Sequence, residues 1–223
     1  MNIILPLANL RLNTSLALIP VALAYAMLWV YRLKINKVVR NSILITLGLA
    51  WLAFLPNTCY LLTEWRHFFF TVDQQNLVLQ SSVSKTAFAE FLAMSMFYLA
   101  YSGFGIISFA LSIRPVERIA RSAGATTWFW ALPFFVALSL GVYLGLILRF
   151  NSWDIVQKPV DIWARIAELG GRPVLGLFII AFGLFLWALY ESVDIWVDGL
   201  SERWSALSGK WIHLGPRDRE AAK

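Results

Sequence analysis

Leu55-Pro56-Asn57-Thr58-Cys59-Tyr60-Leu61-Leu62-Thr63-Glu64-Trp65-Arg66-His67 closes an apolar run that begins at Ser42 and opens a polar one. Read as a helix, it places Asn57, Tyr60, Glu64 and His67 at steps of three, four and three, within an arc of roughly 80°. Four groups that can bond or ionise then line one edge of an apolar helix. Cys59 falls at about 200° from Asn57 on the same wheel, away from that edge. Pro56 lies near the far end of the run, where it either kinks or ends the helix.

Four further apolar runs surround this one: Thr14 to Tyr31, Thr86 to Ile113, Thr126 to Leu148 and Val174 to about Ile195. Each reaches the roughly 18–25 residues that cross a bilayer. Composition agrees. Of 223 residues, 59% are hydrophobic and 14% charged, against about 25% charged in soluble domains; mean hydropathy is +0.66. The expected fold is an all-α, polytopic membrane helical bundle of five transmembrane helices plus amphipathic surface helices. It divides into a lead over 1–13, the bundle over 14–195, and an amphipathic surface helix with a polar tail over 196–223.

The segments between spans differ in character. Residues 63–85 are polar and mixed and read as a loop. After Pro159, Asp161 to Leu169 reads as a short amphipathic helix with Ile162, Trp163 and Ile166 on its apolar side. Beyond the fifth span, Val197, Leu200, Trp204, Leu207 and Trp211 recur at steps of three and four, a stripe suited to the membrane surface. Ala24-Tyr25-Ala26 imitates a signal-cleavage site, but the apolar run continues to Tyr31 and its basic residues follow it, so a retained transmembrane helix is expected.

The net charge of +6 belongs to the links between spans, which makes it a topology determinant and not a nucleic-acid footprint. The links and tail on the C-terminal side of the bilayer hold 12 Lys and Arg, and the opposite side holds 7. The expected orientation is N-terminus outside and C-terminus cytoplasmic. The single cysteine excludes an internal disulfide. Whatever the orientation, the second and fourth spans run the same way and the third starts where they end. Asn57–His67, Glu90 and Arg149–Asp154 therefore share one membrane face.

These residues are the candidates for chemistry. Glu64 and His67 stand at i, i+3, close enough on a helix to reach one metal ion. No cofactor is expected, and a divalent metal at this pair is the weak exception. The plain alternative is that both are interfacial residues closing a helix end. Glu90 is an ionisable group inside a span, which is costly and marks function by default; its alternative is a shallow structural ion pair. In Arg149-Phe150-Asn151-Ser152-Trp153-Asp154, Arg149 could hold a carboxylate or phosphate in a fork and Asp154 could act as base or ligand. The alternative is a tight turn with Asn151 and Ser152 capping and Trp153 anchored at the interface.

Two stretches carry a family resemblance. Leu55-Pro56-Asn57 with Tyr60, Thr63 and Glu64 resembles the Leu-Pro-Asn-x-x-Tyr-x-x-Thr-Asp element of bacterial membrane proteins known as domain of unknown function 1361. Gly141-Val142-Tyr143-Leu144-Gly145 followed by Arg149 to Asp154 is similar to that family's second signature. The likeness runs from about Asn13 to the fifth span. Glu64 stands where the family has Asp, Glu90 replaces a family Asp, and Leu146 stands where an arginine is frequent. The resemblance implies a bacterial inner-membrane protein and supplies no reaction.

The functional expectation is a polar pocket at the outer membrane face, formed by Asn57, Tyr60, Glu90, Arg149, Asn151 and Trp153, with Glu64 and Asp154 as candidate catalytic acids. It would bind or process a small polar, lipid or envelope-related ligand. The expected partner is the lipid bilayer, with no nucleic acid. A scaffold subunit of a membrane complex and a small-solute transporter are the alternatives. A carrier needs polar groups at mid-depth on several helices, and Glu90 is shallow.

Overall fold

The computed structural model describes residues 4–63, 65–74, 76–150 and 154–213. Helix α1 covers Ile4–Arg32, α2 Lys37–Phe54, α3 Pro56–Thr63, α4 Trp65–Gln74 and α5 Leu77–Ser81. Helix α6 covers Lys85–Ser122, α7 Thr127–Leu146, α8 Asp154–Gln157, α9 Pro159–Glu168 and α10 Pro173–His213, with a 3-10 turn at Leu169–Gly171 before α10. Five segments are long and apolar enough to cross a membrane, and no strand occurs among the described residues. The expected membrane bundle with additional surface helices is the observed fold.

Local chemistry sets many of the boundaries. Asn36 caps α2 by accepting from Val38 N at 2.8 Å, and Ser84 caps α6 by accepting from Ala87 N. Proline opens α9 and α10, at a position where a missing N–H costs nothing. Gly124, with φ +84°, stops the chain after α6.

Pro56 kinks the second span and does not end it. Leu55 keeps helical torsions, φ −54° and ψ −40°, and α3 continues toward the same face. Proline removes a donor and displaces the preceding turn. Local groups compensate: the Asn57 side-chain amide donates to Phe54 O at 2.9 Å, the Thr58 hydroxyl to Leu55 O at 2.8 Å, and Thr58 N to Leu55 O at 3.1 Å. Without water, each freed carbonyl would otherwise cost several kcal/mol, on the order of a lost hydrogen bond.

Helix α3 is the centre of the bundle, packed against α1, α6 and α7. Asn57, Thr58, Cys59 and Leu61 are buried there. The core around it joins Ala24, Trp51, Leu55, Phe109, Phe135 and Leu186. Trp51 stacks on Phe134, with ring centroids 5.9 Å apart, and its indole N–H donates to Ser112 O at 2.9 Å. It packs between helices, as its mid-span position predicts.

Three segments differ from the sequence-based expectation. Residues 65–74 and 77–81 are the short helices α4 and α5, where a loop was expected over 63–85. Trp65, Phe68 and Phe69 stand at i, i+3 and i+4, and Phe68 is buried against Phe91 and Tyr98 of α6, so tertiary packing sustains a helix that its polar neighbours conceal. Helix α6 runs on to Ser122, past the expected end at Ile113, because Arg114 and Glu117 find partners on α10. The stripe beyond Val197 begins no new element; it is carried on the same 41-residue helix as the fifth span.

Candidate functional site

The two signature stretches pack against each other. Helices α3 and α7 run parallel, and their close approach depends on glycine. A Cβ on Gly141 would lie 3.0 Å from Pro56 Cγ, and one on Gly145 would lie 1.6 Å from Tyr60 Oη. Pro56 and Tyr60 are four residues apart, as are the two glycines, so one ridge of α3 fits one groove of α7. On another face of α3, a Cβ on Gly105 of α6 would meet Leu61 Cβ at 2.7 Å.

Beside the Tyr60–Gly145 contact lies a cleft of ≈ 200 Å³. Pro56 and Tyr60 form its α3 wall, Ala137, Gly141 and Gly145 its α7 wall, and Phe150 and Ile162 its far end. Ile162 belongs to the amphipathic helix α9, which buries no residue completely. The cleft is therefore apolar along its walls, with Tyr60 as its polar contributor among the described residues.

The second signature turns the chain at the end of α7. Phe150 N donates back to Leu144 O at 3.1 Å, and Arg149 adopts a left-handed φ of +59°. That conformation costs a non-glycine residue roughly 1–2 kcal/mol, and such positions gather at functional sites. Arg149 is exposed. Asp154 opens α8 and is 5% exposed, with Lys158 Nζ 3.7 Å from its Oδ1. Arg149→Gly removes the torsional cost. It should leave stability unchanged or raise it by about 1 kcal/mol, read as the melting transition of the purified protein.

The expected site residues thus separate. Tyr60, Arg149 and Asp154 lie on or next to the packed signatures. Asn57 is buried, with its amide committed to the kink. His67 and Glu90 are exposed on α4 and α6. Asn57 and Tyr60 lie on α3 and His67 on α4. Glu64, Asn151 and Trp153 lie outside the described residues. Among the described residues, no three His, Cys, Asp or Glu side chains form a group able to hold a metal ion. Cys59 is fully buried, its sulfur 3.8 Å from the Thr58 hydroxyl.

Sequence reading missed a polar network at the other end of the bundle. Arg114, 9% exposed, forms ion pairs with Asp194 and Asp198 of α10. Glu117 accepts from the Tyr190 hydroxyl and from Arg121, whose Nε lies 3.0 Å away. The Trp187 indole donates to Glu191 at 3.0 Å. A sequence cue existed: Asp194 and Asp198 stand one turn apart, and the topology brings them to the membrane face that holds Arg114.

A family model described as protein of unknown function (DUF1361) matches residues 12–189. The chain belongs to this family. The match spans both signatures and ends within α10, just before Tyr190 and the acids that meet Arg114. No curated protein and no solved structure matches the chain.

Proposed function

We propose that this DUF1361 chain binds a lipid or lipid-linked envelope compound at the outer leaflet of the bacterial cytoplasmic membrane. In this reading the N-terminus is outside and the C-terminus cytoplasmic, as the distribution of Lys and Arg favours. The observation that carries the proposal is the apolar cleft between the two signatures, ≈ 200 Å³ in volume, whose lining includes Phe150, the residue after Arg149 in the second signature. An apolar wall with a few convergent polar groups at one end is the usual form of a small-ligand site. The hydrocarbon portion would lie along Pro56, Ala137 and Gly141. An anionic head would meet Arg149 and Lys158. Asp154, buried at the start of α8, is the group through which a reaction on the head would act as acid or base.

Ala137→Phe fills the cleft from an exposed position on α7. Mass spectrometry of lipid retained by protein purified in mild detergent should find a defined species with the natural chain and a severalfold loss with Ala137→Phe, at unchanged melting temperature. Arg149→Gly should also lose the species. Equal retention by all three proteins would exclude the cleft as the binding site. A loss of turnover in Asp154→Asn with retention intact would place the protein among enzymes.

A further inference from the structure

The cleft beside the two signatures has a length, a floor and an open side. Three contacts set the second span in register with α7: Trp51 stacks on Phe134, Pro56 meets Gly141 and Tyr60 meets Gly145. The cleft follows this seam from Leu52 and Phe134 to Tyr60 and Gly145. Its floor is the Trp51–Phe134 stack, with ring planes 4° apart and the indole held by Ser112 O. From Phe134 to Gly145, α7 rises about 16 Å at roughly 1.5 Å per residue. Half of a hydrocarbon core roughly 30 Å thick is about 15 Å. The cleft therefore covers the depth of one leaflet, from the middle of the span to the face where the signatures lie. Leu52 and Ala137, on opposite walls, are exposed, so the cleft opens sideways to lipid.

Resting on the reading of the cleft as a lipid site, we propose that it is a slot for a single acyl chain of a lipid in that leaflet. The chain's ester carbonyl sits at Tyr60, and its methyl end meets the Trp51–Phe134 stack. Width decides against a protein occupant. A volume of ≈ 200 Å³ spread over this length is one chain wide, and an α-helix is about 10–12 Å across. The floor decides against a long isoprenyl chain, which would have to pass it. Polarity decides for an ester. Among the described residues the Tyr60 hydroxyl has no hydrogen-bond partner, and it stands beside Gly145, where the seam ends. A phenol in an apolar wall needs an acceptor, and the ester carbonyl at the top of a leaflet supplies one. The Tyr60 hydroxyl thus fixes one end of the chain and the aromatic stack the other, so the slot measures chain length.

The test equilibrates the full-length chain in mild detergent with an equimolar series of diacyl phosphatidylglycerols of graded chain length, their dialkyl ether counterparts and a polyprenyl phosphate. Native mass spectrometry reads what stays bound. The natural chain should enrich one or two adjacent acyl lengths severalfold over the mixture. Ala137→Leu, at an exposed position about one turn above Phe134, should move the enrichment to shorter chains. Phe134→Ala should move it to longer ones; if that variant does not fold, Ala137→Leu decides alone. Tyr60→Phe should cut ester binding severalfold and leave ether binding as it was. Binding without length selection, selection unmoved by Ala137→Leu, or a preference for the polyprenyl phosphate overturns the acyl slot and leaves a lipid site in place. No lipid bound by the natural chain overturns the slot and the proposed function together.

Discussion

Replacing Asp194 and Asp198 together by Asn should destabilise the protein far more than replacing Arg114 by Met. The Arg114 side chain is 10% exposed, whereas Asp194 is 22% and Asp198 57% exposed. Removing both acids leaves a largely buried guanidinium with no charged partner. Glu117 offers no relief, being engaged by Arg121 and Tyr190. Breaking a buried pair in this way costs about 3–5 kcal/mol. Removing the arginine instead leaves two carboxylates that can hydrate, and Met fills much of the vacated volume; such apolar replacement is often nearly neutral, within about 1 kcal/mol. Denaturant unfolding of the three proteins in one detergent reads the difference directly. Equal losses would mean that Arg114 is hydrated and the network is a surface feature.

The second large effect belongs to the glycines that bring helix backbones together. Gly183→Ala puts a Cβ 2.9 Å from Val136 Cα and 3.0 Å from Val136 N, and Gly105→Ala puts one 2.7 Å from Leu61 Cβ. Neither obstacle is the end of a flexible side chain, so whole helices must separate. The expected cost is about 1–3 kcal/mol each, and the upper end where α7 and α10 part along their length. Gly103→Ala and Gly176→Ala meet nothing within 4 Å and should gain up to about 1 kcal/mol from helix propensity. A melting series over the four variants tests this. Losses at Gly103 and Gly176 matching those at Gly105 and Gly183 would show that helix approach is not what these glycines serve.

The sequence and the structure agree where burial and periodicity coincide. Five apolar runs became five spans, and Trp51 packed between helices as its depth required. The fate of Pro56 was open in the sequence because proline alone permits a kink or a stop. The amide of Asn57 and the hydroxyl of Thr58, both capping freed carbonyls, decide for the kink. Helix α4 was concealed because its sequence is polar and mixed, whereas packing against Phe91 and Tyr98 of α6 gives its aromatic face a reason to fold. For the candidate site, the sequence showed which residues share a membrane face and not which of them pack together. Tyr60 lines the cleft, while Asn57 is spent on the kink and Glu90 is exposed. A helical wheel orders side chains around one axis; it carries no information on which neighbour occupies each direction.

By itself the sequence determined the number of spans, their relative directions and the membrane face on which the two signatures meet. Those follow from the length of apolar runs against bilayer thickness, and from alternation of direction along the chain. Only the tertiary structure decided that Gly141 and Gly145 accept Pro56 and Tyr60, that an apolar cleft opens beside them, and that Arg114 is held by Asp194 and Asp198. Helix pairing in lipid depends on side-chain shape at a few ångströms, and hydropathy, which sets the spans, is blind to shape.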